Sequence, residues 1–208
     1  RLGRAAEYRD NETGMHVIRM SRLSAKLAKK IGLPDEECQL ILQASPMHDV
    51  GKIGIPDEIL LKPGKLNEEE WVIMKKHSEI GAEILSGSRS AIMKMAESIA
   101  LTHQERWDGA GYANSLKGEE IPLAGRIVAI CDVFDALTSK RYYKEAYSIE
   151  KSMGIIEQGS GKDFEPRLVE AFKEALPEMV RIVKELPDNE PADILKVYRE
   201  TNTTSSAQ

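Results

Sequence analysis

Four histidines are spread over the 208 residues: His16, His48, His77 and His103. Helical periodicity turns each of them inward. His77 lies four residues after Ile73 and three before Ile80, and His103 lies four after Ile99, so both fall on apolar helix faces. His48 is followed directly by Asp49 at the end of an apolar segment, and Glu12 and His16 are four apart on one face of a helix. Asp132 stands inside RIVAICDVFDAL, where a lone carboxylate is costly unless it is paired or bound to a metal. Taken singly, each has an ordinary explanation. A histidine on an apolar stripe is more often a satisfied core residue, Glu12 and His16 can be a solvated pair, and Asp132 can pair with Arg126 or Lys140. Taken together, inward polar groups on five helical segments would each need a partner, whereas a shared cation centre serves them all. Mixed His, Asp and Glu donors without thiolates suit Fe, Mn, Zn or Ni, and carboxylates can bridge two such ions.

The segments that must position these groups read as helices, and no alternating stretch of useful length reads as a strand. A first helix is expected over about 12–30, ended by Gly32, and a second begins at Pro34 and runs toward Met47. DVGKIGIPDEILLKPGKL carries too many glycines and prolines for a long helix. Asn67 with Glu70 forms a capping box for a third helix, whose stripe is Ile73, Ile80 and Ile84. Further helices are expected over about 91–105, about 123–139, after Ser148, and over about 166–176. The glycine-rich WDGAGYANSLKGEEIP between the fourth and fifth is long enough to be functional. The fold class is all-α, a helical bundle. The helical domain spans 1–180, and 181–208 holds a short helix and a polar, disordered tail.

Composition narrows the partners. Hydrophobic residues make up 41% and charged residues 30%, a soluble globular balance, and no run of about 18 apolar residues could span a membrane. The opening RLGRAAEYRDNETG has neither an initiator Met nor a signal-peptide pattern and reads as cut from a longer protein. Cys38 and Cys131 have no CxxC spacing, which points to a reducing cytoplasm. A net charge of −5 argues against binding a nucleic-acid polymer, so an anionic substrate would need a locally positive site.

Over about residues 5–175 the chain resembles the HD-GYP family of metal-dependent phosphohydrolases. The resemblance rests on HDVGKIGIPDEILLKPGKL (48–66), KHSEIGAEIL (76–85), HQERWDGAGY (103–112), IPLAGRIVAICDVFDALTSKRYYKEA (121–146) and GSGKDFEP (159–166), in the family's order. It implies a helical bundle of the HD-domain type around two or three divalent metal ions, Fe or Mn first, with Ni, Zn or Mg as alternatives. It implies hydrolysis of the bacterial messenger cyclic di-GMP to pGpG or GMP. The matching ligand positions are Glu12, His16, His48, Asp49, His77, His103 and Asp132, with Asp49 as the bridging carboxylate. Lys52 matches the lysine that reaches the scissile phosphate, Gly111 and Tyr112 match the signature loop, and Arg141 and Lys144 match residues that hold substrate phosphates. Implied partners are a diguanylate cyclase domain, an upstream sensory or receiver domain and a second copy in a homodimer.

Three positions depart from the family. Gln104 stands where a second histidine is usual, Ala113 where GYP has its proline, and Tyr142 where a proline precedes the Tyr-Lys pair. An amide oxygen is a weak donor beside imidazole, so Gln104 weakens one metal position. Glu12 favours three metals in the family, so at least two are expected, with a third of reduced affinity. The same substitutions carry the competing reading of a degenerate, non-catalytic domain that binds nucleotide or a partner protein. A third reading keeps the enzyme and changes the substrate to another cyclic dinucleotide or a phosphomonoester.

Overall fold

The structure, a computed structural model, describes residues 14–139 and 146–187. Its helices, in chain order, are α1 (Gly14–Lys30), α2 (Asp35–Ala44), α3 (Asp57–Leu60), α4 (Glu68–Lys75), α5 (His77–Leu85), α6 (Ala91–Thr102), α7 (Leu123–Thr138), α8 (Ile149–Gln158), α9 (Pro166–Glu174) and α10 (Leu176–Glu185). Short 3₁₀ turns cover Ser45–Met47, Val50–Gly54 and Gly118–Glu120. Among the described residues there is no strand, only an isolated bridge between Ser160 and Phe164. No helix of the described residues is long and apolar enough to cross a membrane.

The most apolar helix, α7, is central because it has apolar residues on nearly every side. Ile127, Val128, Ile130, Cys131 and Phe134 are buried, packed against α1, α6 and α8. Met20, Leu23 and Leu27 supply the facing stripe of α1, and Phe134 meets Phe172 of α9 edge-to-face at 4.8 Å. Each such side chain, fully buried, contributes about 1.5–3 kcal/mol of transfer free energy.

Several helix limits differ from the sequence pattern. The capping box is present: Asn67 Oδ1 accepts from the Glu70 amide and Glu70 Oε2 accepts from the Asn67 amide, both at 2.8 Å. The helix it starts does not continue to Ile84, however. It ends at Lys75 and a new one begins at His77, with the His77 ring bonded to the Met74 carbonyl across the break. Ile84 is exposed rather than part of a buried stripe. Similarly, α2 tightens into a 3₁₀ turn before His48, and α6 ends at Thr102, leaving His103 as its C-cap. A further helix, α10, follows directly after α9, where the sequence pattern ended near Leu176. Its inner residue Met179 is fully buried.

One close approach sets the position of the Val50–Gly54 turn that follows His48 and Asp49. A Cβ on Gly51 would lie 1.9 Å from the His77 carbonyl oxygen and 2.4 Å from the Gly81 amide. Only hydrogen at Gly51 lets this turn rest against α5, where the Gly81 backbone is also closely approached, and Asp49 lies beside His77 as a result. Gly51→Ala is therefore expected to push the turn off α5 and to lower the unfolding free energy by about 3 kcal/mol, as measured by urea denaturation.

Candidate metal centre

Four helical segments deliver the histidines to one place. His16 comes from the first turn of α1, His48 from the end of the Ser45–Met47 turn, His77 from the start of α5 and His103 from the end of α6. All four are at least 96% buried. Their rings meet edge-to-face: His16 to His48 at 5.8 Å, His48 to His103 at 5.1 Å and His77 to His103 at 5.4 Å.

Each ring is held by its Nδ1. That nitrogen faces the Ser45 carbonyl in His48 (3.1 Å), the Met74 carbonyl in His77 (2.8 Å), and the Ile99 and Ala100 carbonyls in His103 (3.2 and 3.1 Å). In His16 it faces Asp135 Oδ2 at 2.7 Å. These oxygens can only accept, so every Nδ1 must carry the proton and every neutral ring presents a bare Nε2 lone pair inward.

The Nε2 atoms converge on two carboxylates. Asp49 Oδ1 lies 3.3 Å from His77 Nε2 and 3.4 Å from His103 Nε2, while Oδ2 lies 3.3 Å from His48 Nε2 and 2.8 Å from Lys52 Nζ. Asp132 Oδ1 lies 3.3 Å from His16 Nε2 and 4.0 Å from His48 Nε2. Lone pairs therefore face lone pairs, which repel unless a positive charge stands between them. His48 Nε2, Asp49 Oδ1 and His103 Nε2 are buried without a hydrogen-bond partner. Such groups cost about 1–3 kcal/mol each, so three in one spot call for an occupant. The donors form two compact groups, His16 with His48 and Asp132, and His48 with Asp49 and His103. A divalent cation fits this donor set of imidazole and carboxylate.

Charge distribution agrees. Burial alone would raise the pKa of Asp49, yet Lys52 and His48 outweigh it and hold the carboxyl well below its usual range. Asp132 is likewise held ionised against its burial, chiefly by the neighbouring His16 ring, with His48 adding to it. Burial pushes His48 down, but the Asp49 charge overcomes it and the net shift is upward. A proton is thus drawn to the place a cation would take.

A cavity of about 570 Å³ opens onto the cluster. Asp49, Lys52, His77 and Asp132 lie at its polar end, and Leu60, Leu66, Trp71 and Met74 form an apolar wall. Gln104 also lines it, as does Tyr112, whose ring meets His77 at 6.0 Å beneath Lys75 Nζ at 5.5 Å. Burial raises the Tyr112 phenol pKa, so this hydroxyl stays a donor. Gly111 is the close-approach point of the loop, since a Cβ there would lie 2.3 Å from the Arg106 amide. The buried Glu105 carboxylate accepts from the amides of Asn114 (2.6 Å) and Leu116 (3.2 Å), which holds the loop although it lacks the family's proline.

Of the residues singled out from sequence, the structure brings together His16, His48, Asp49, Lys52, His77, His103, Tyr112 and Asp132, while Gly111 packs on the backbone of Gln104, Glu105 and Arg106. Glu12, Arg141 and Lys144 lie outside the described residues. Asp132 does not pair with Arg126, which binds Glu165 at 2.6 Å. Sequence reasoning missed Asp135, Arg19 and Glu105. A signal for Asp135 was present: it is a second lone carboxylate in CDVFDAL, three residues from Asp132.

The sequence profile described as "HD domain" matches residues 3–168. The chain is 49% identical over 172 residues to the cyclic di-GMP phosphodiesterase response regulator RpfG of Xanthomonas campestris, covering 83% of this chain and 46% of that protein. It is 48% identical over 187 residues to a cyclic di-GMP phosphodiesterase of Thermotoga maritima (90% and 49%). It is also 49% identical over 187 residues to the 3'3'-cGAMP-specific phosphodiesterase 2 of Vibrio cholerae (90% and 36%). The chain thus spans less than half the length of these relatives. Its fold is similar to that of the crystal structure of a cyclic GMP-AMP-specific phosphodiesterase from V. cholerae, with TM-score 0.66 at 20% identity, covering 93% of this chain and 53% of that one.

The burial of His77 pushes its imidazole down to about 4, from 6.5 in the unfolded chain. Between those values the unfolded chain binds a proton that the folded one refuses, so this contribution is present above about pH 6.5 and is lost as pH falls toward 4. The melting temperature of metal-free protein should fall over that window, and fall less steeply in His77→Asn, as read by differential scanning calorimetry.

Proposed function

The chain belongs to the HD domain family, and on that premise we propose that it is a divalent-metal-dependent phosphodiesterase that hydrolyses cyclic di-GMP to pGpG or GMP. The observation that carries this reading is the convergence of four Nε2 lone pairs on Asp49 and Asp132 at the floor of a substrate-sized cavity. Relatives of 48–49% identity that bear the name cyclic di-GMP phosphodiesterase support it.

His16, His48, His77, His103, Asp49 and Asp132 would hold at least two ions, iron or manganese by preference, with Glu12 completing a third, weaker position. Asp49 directs its two oxygens at different histidines, as a bridging ligand does. When bound, such ions neutralise phosphate charge and supply a hydroxide-like nucleophile at neutral pH. The remaining work falls to side chains. Lys52 brings a cation to the polar end of the cavity, where charge builds on the phosphoryl oxygens. Tyr112 donates its hydroxyl toward the phosphate. Arg141 binds phosphate bidentately, and Lys144 binds it as a point charge. The apolar wall takes the purine faces. Both cysteines are free and buried, in keeping with a cytoplasmic enzyme of bacterial signalling, attached to a sensory or receiver domain in its full-length form.

A second substrate, 3'3'-cGAMP, is favoured by the V. cholerae relative of equal identity. It differs in one purine, which the metal centre would not distinguish. Incubating the protein anaerobically with either dinucleotide and Mn²⁺ or Fe²⁺, then separating products, tests both. Turnover of cyclic di-GMP is expected, abolished in Asp49→Ala and lowered about 100-fold in kcat by Lys52→Ala. No turnover with any metal, but turnover in Gln104→His, would establish the degenerate, non-catalytic reading instead.

A further inference from the structure

His16 differs from the other three histidines in what holds its ring. Those three have backbone carbonyls at Nδ1, whereas His16 has the Asp135 carboxylate. Asp135 is fully buried and is itself gripped. Arg19 Nε donates to Oδ1 at 2.6 Å, Arg19 Nη2 donates to Oδ2 at 3.1 Å, and Ser139 Oγ donates to Oδ2 at 3.3 Å. Arg19, 1% exposed, also donates to Ser139 Oγ at 2.7 Å and through Nη1 to the Leu186 carbonyl at 2.9 Å, beyond the end of α10. None of these residues lines the cavity.

We infer that Asp135, fixed by Arg19, is a positioning residue that sets the affinity of one metal position, the one formed by His16, His48 and Asp132. The inference rests on reading the cluster as a metal centre. Its physical basis is that a buried carboxylate accepting Nδ1–H fixes the tautomer and makes the opposite nitrogen a stronger donor than a carbonyl would. The two-point grip of Arg19 keeps Asp135 from rotating away, and each charge neutralises the other where neither could stand alone. The carbonyl at Leu186 makes the end of α10 part of the same support.

The test is Mn²⁺ titration of the metal-free full chain by equilibrium dialysis with electron paramagnetic resonance. Wild type should bind at least two ions with a coupled spectrum. In Asp135→Asn the side-chain amide can donate to Nδ1 and favour the wrong tautomer. One position should then weaken about 10–100-fold while the other keeps its affinity, leaving an isolated six-line signal. Ser139→Ala retains the Arg19–Asp135 pair and should weaken the same position a few-fold, which keeps the inference testable if Asp135→Asn does not fold. Equal weakening of both positions in step with a fall in the melting temperature of metal-free protein would overturn it, as would unchanged affinity in both variants. A wild-type chain that binds no manganese would instead overturn the metal centre itself.

Discussion

The structure depends on one constraint: four buried imidazoles commit Nδ1 to an acceptor and so each point Nε2 at a carboxylate. Backbone carbonyls and Asp135 accept from Nδ1–H, so the Nε2 atoms cannot satisfy one another. Asp49 and Asp132 add negative charge to the same small volume instead of relieving it. A fold assembled around such a point carries a local cost that a positive charge there relieves. Lys52 supplies part of that charge, and the imidazole and carboxylate donors around it form groups that fit a divalent cation.

The helices serve this arrangement in an economical way. Three of the histidines lie at helix ends or next to a break, where a ring can reach a carbonyl of the preceding turn. His77 bonds to Met74 across the α4–α5 break, and His103 caps α6. Gly51 then removes the last obstacle, letting the Val50–Gly54 turn sit against α5. The outer loop is held from a distance. Arg106 joins Asp108 and Asp163, and the amide of Asp108 bonds to the Lys162 carbonyl, which ties the loop carrying Tyr112 to the turn after α8.

Much of this was legible in the sequence because burial of a polar residue leaves a mark on an apolar period. His103 and Asp132 each interrupt an apolar stripe, and the capping box at Asn67 is a local signal that needs no tertiary context, whereas the stripe read through His77 crosses a helix break and ends at an exposed Ile84. What was illegible depends on contacts between distant segments. The break at Lys76 has no proline or glycine to announce it, since it follows from the His77 ring taking a backbone acceptor. Arg19 looked like an ordinary charged helix residue, and only its partner 116 positions away makes it a buried one. Glu105 likewise reads as solvated until the loop amides that it holds are seen. Gln104 lines the cavity, and its backbone role of accepting from the Tyr112 amide was not foreseeable.

The central claim is that this cluster holds at least two divalent ions. Anomalous X-ray scattering at the manganese or iron edge, from crystals grown anaerobically, tests it most directly. The account predicts at least two peaks enclosed by the histidine Nε2 atoms and the Asp49 and Asp132 carboxylates, one of them beside His16. A single peak there, or none, would contradict it.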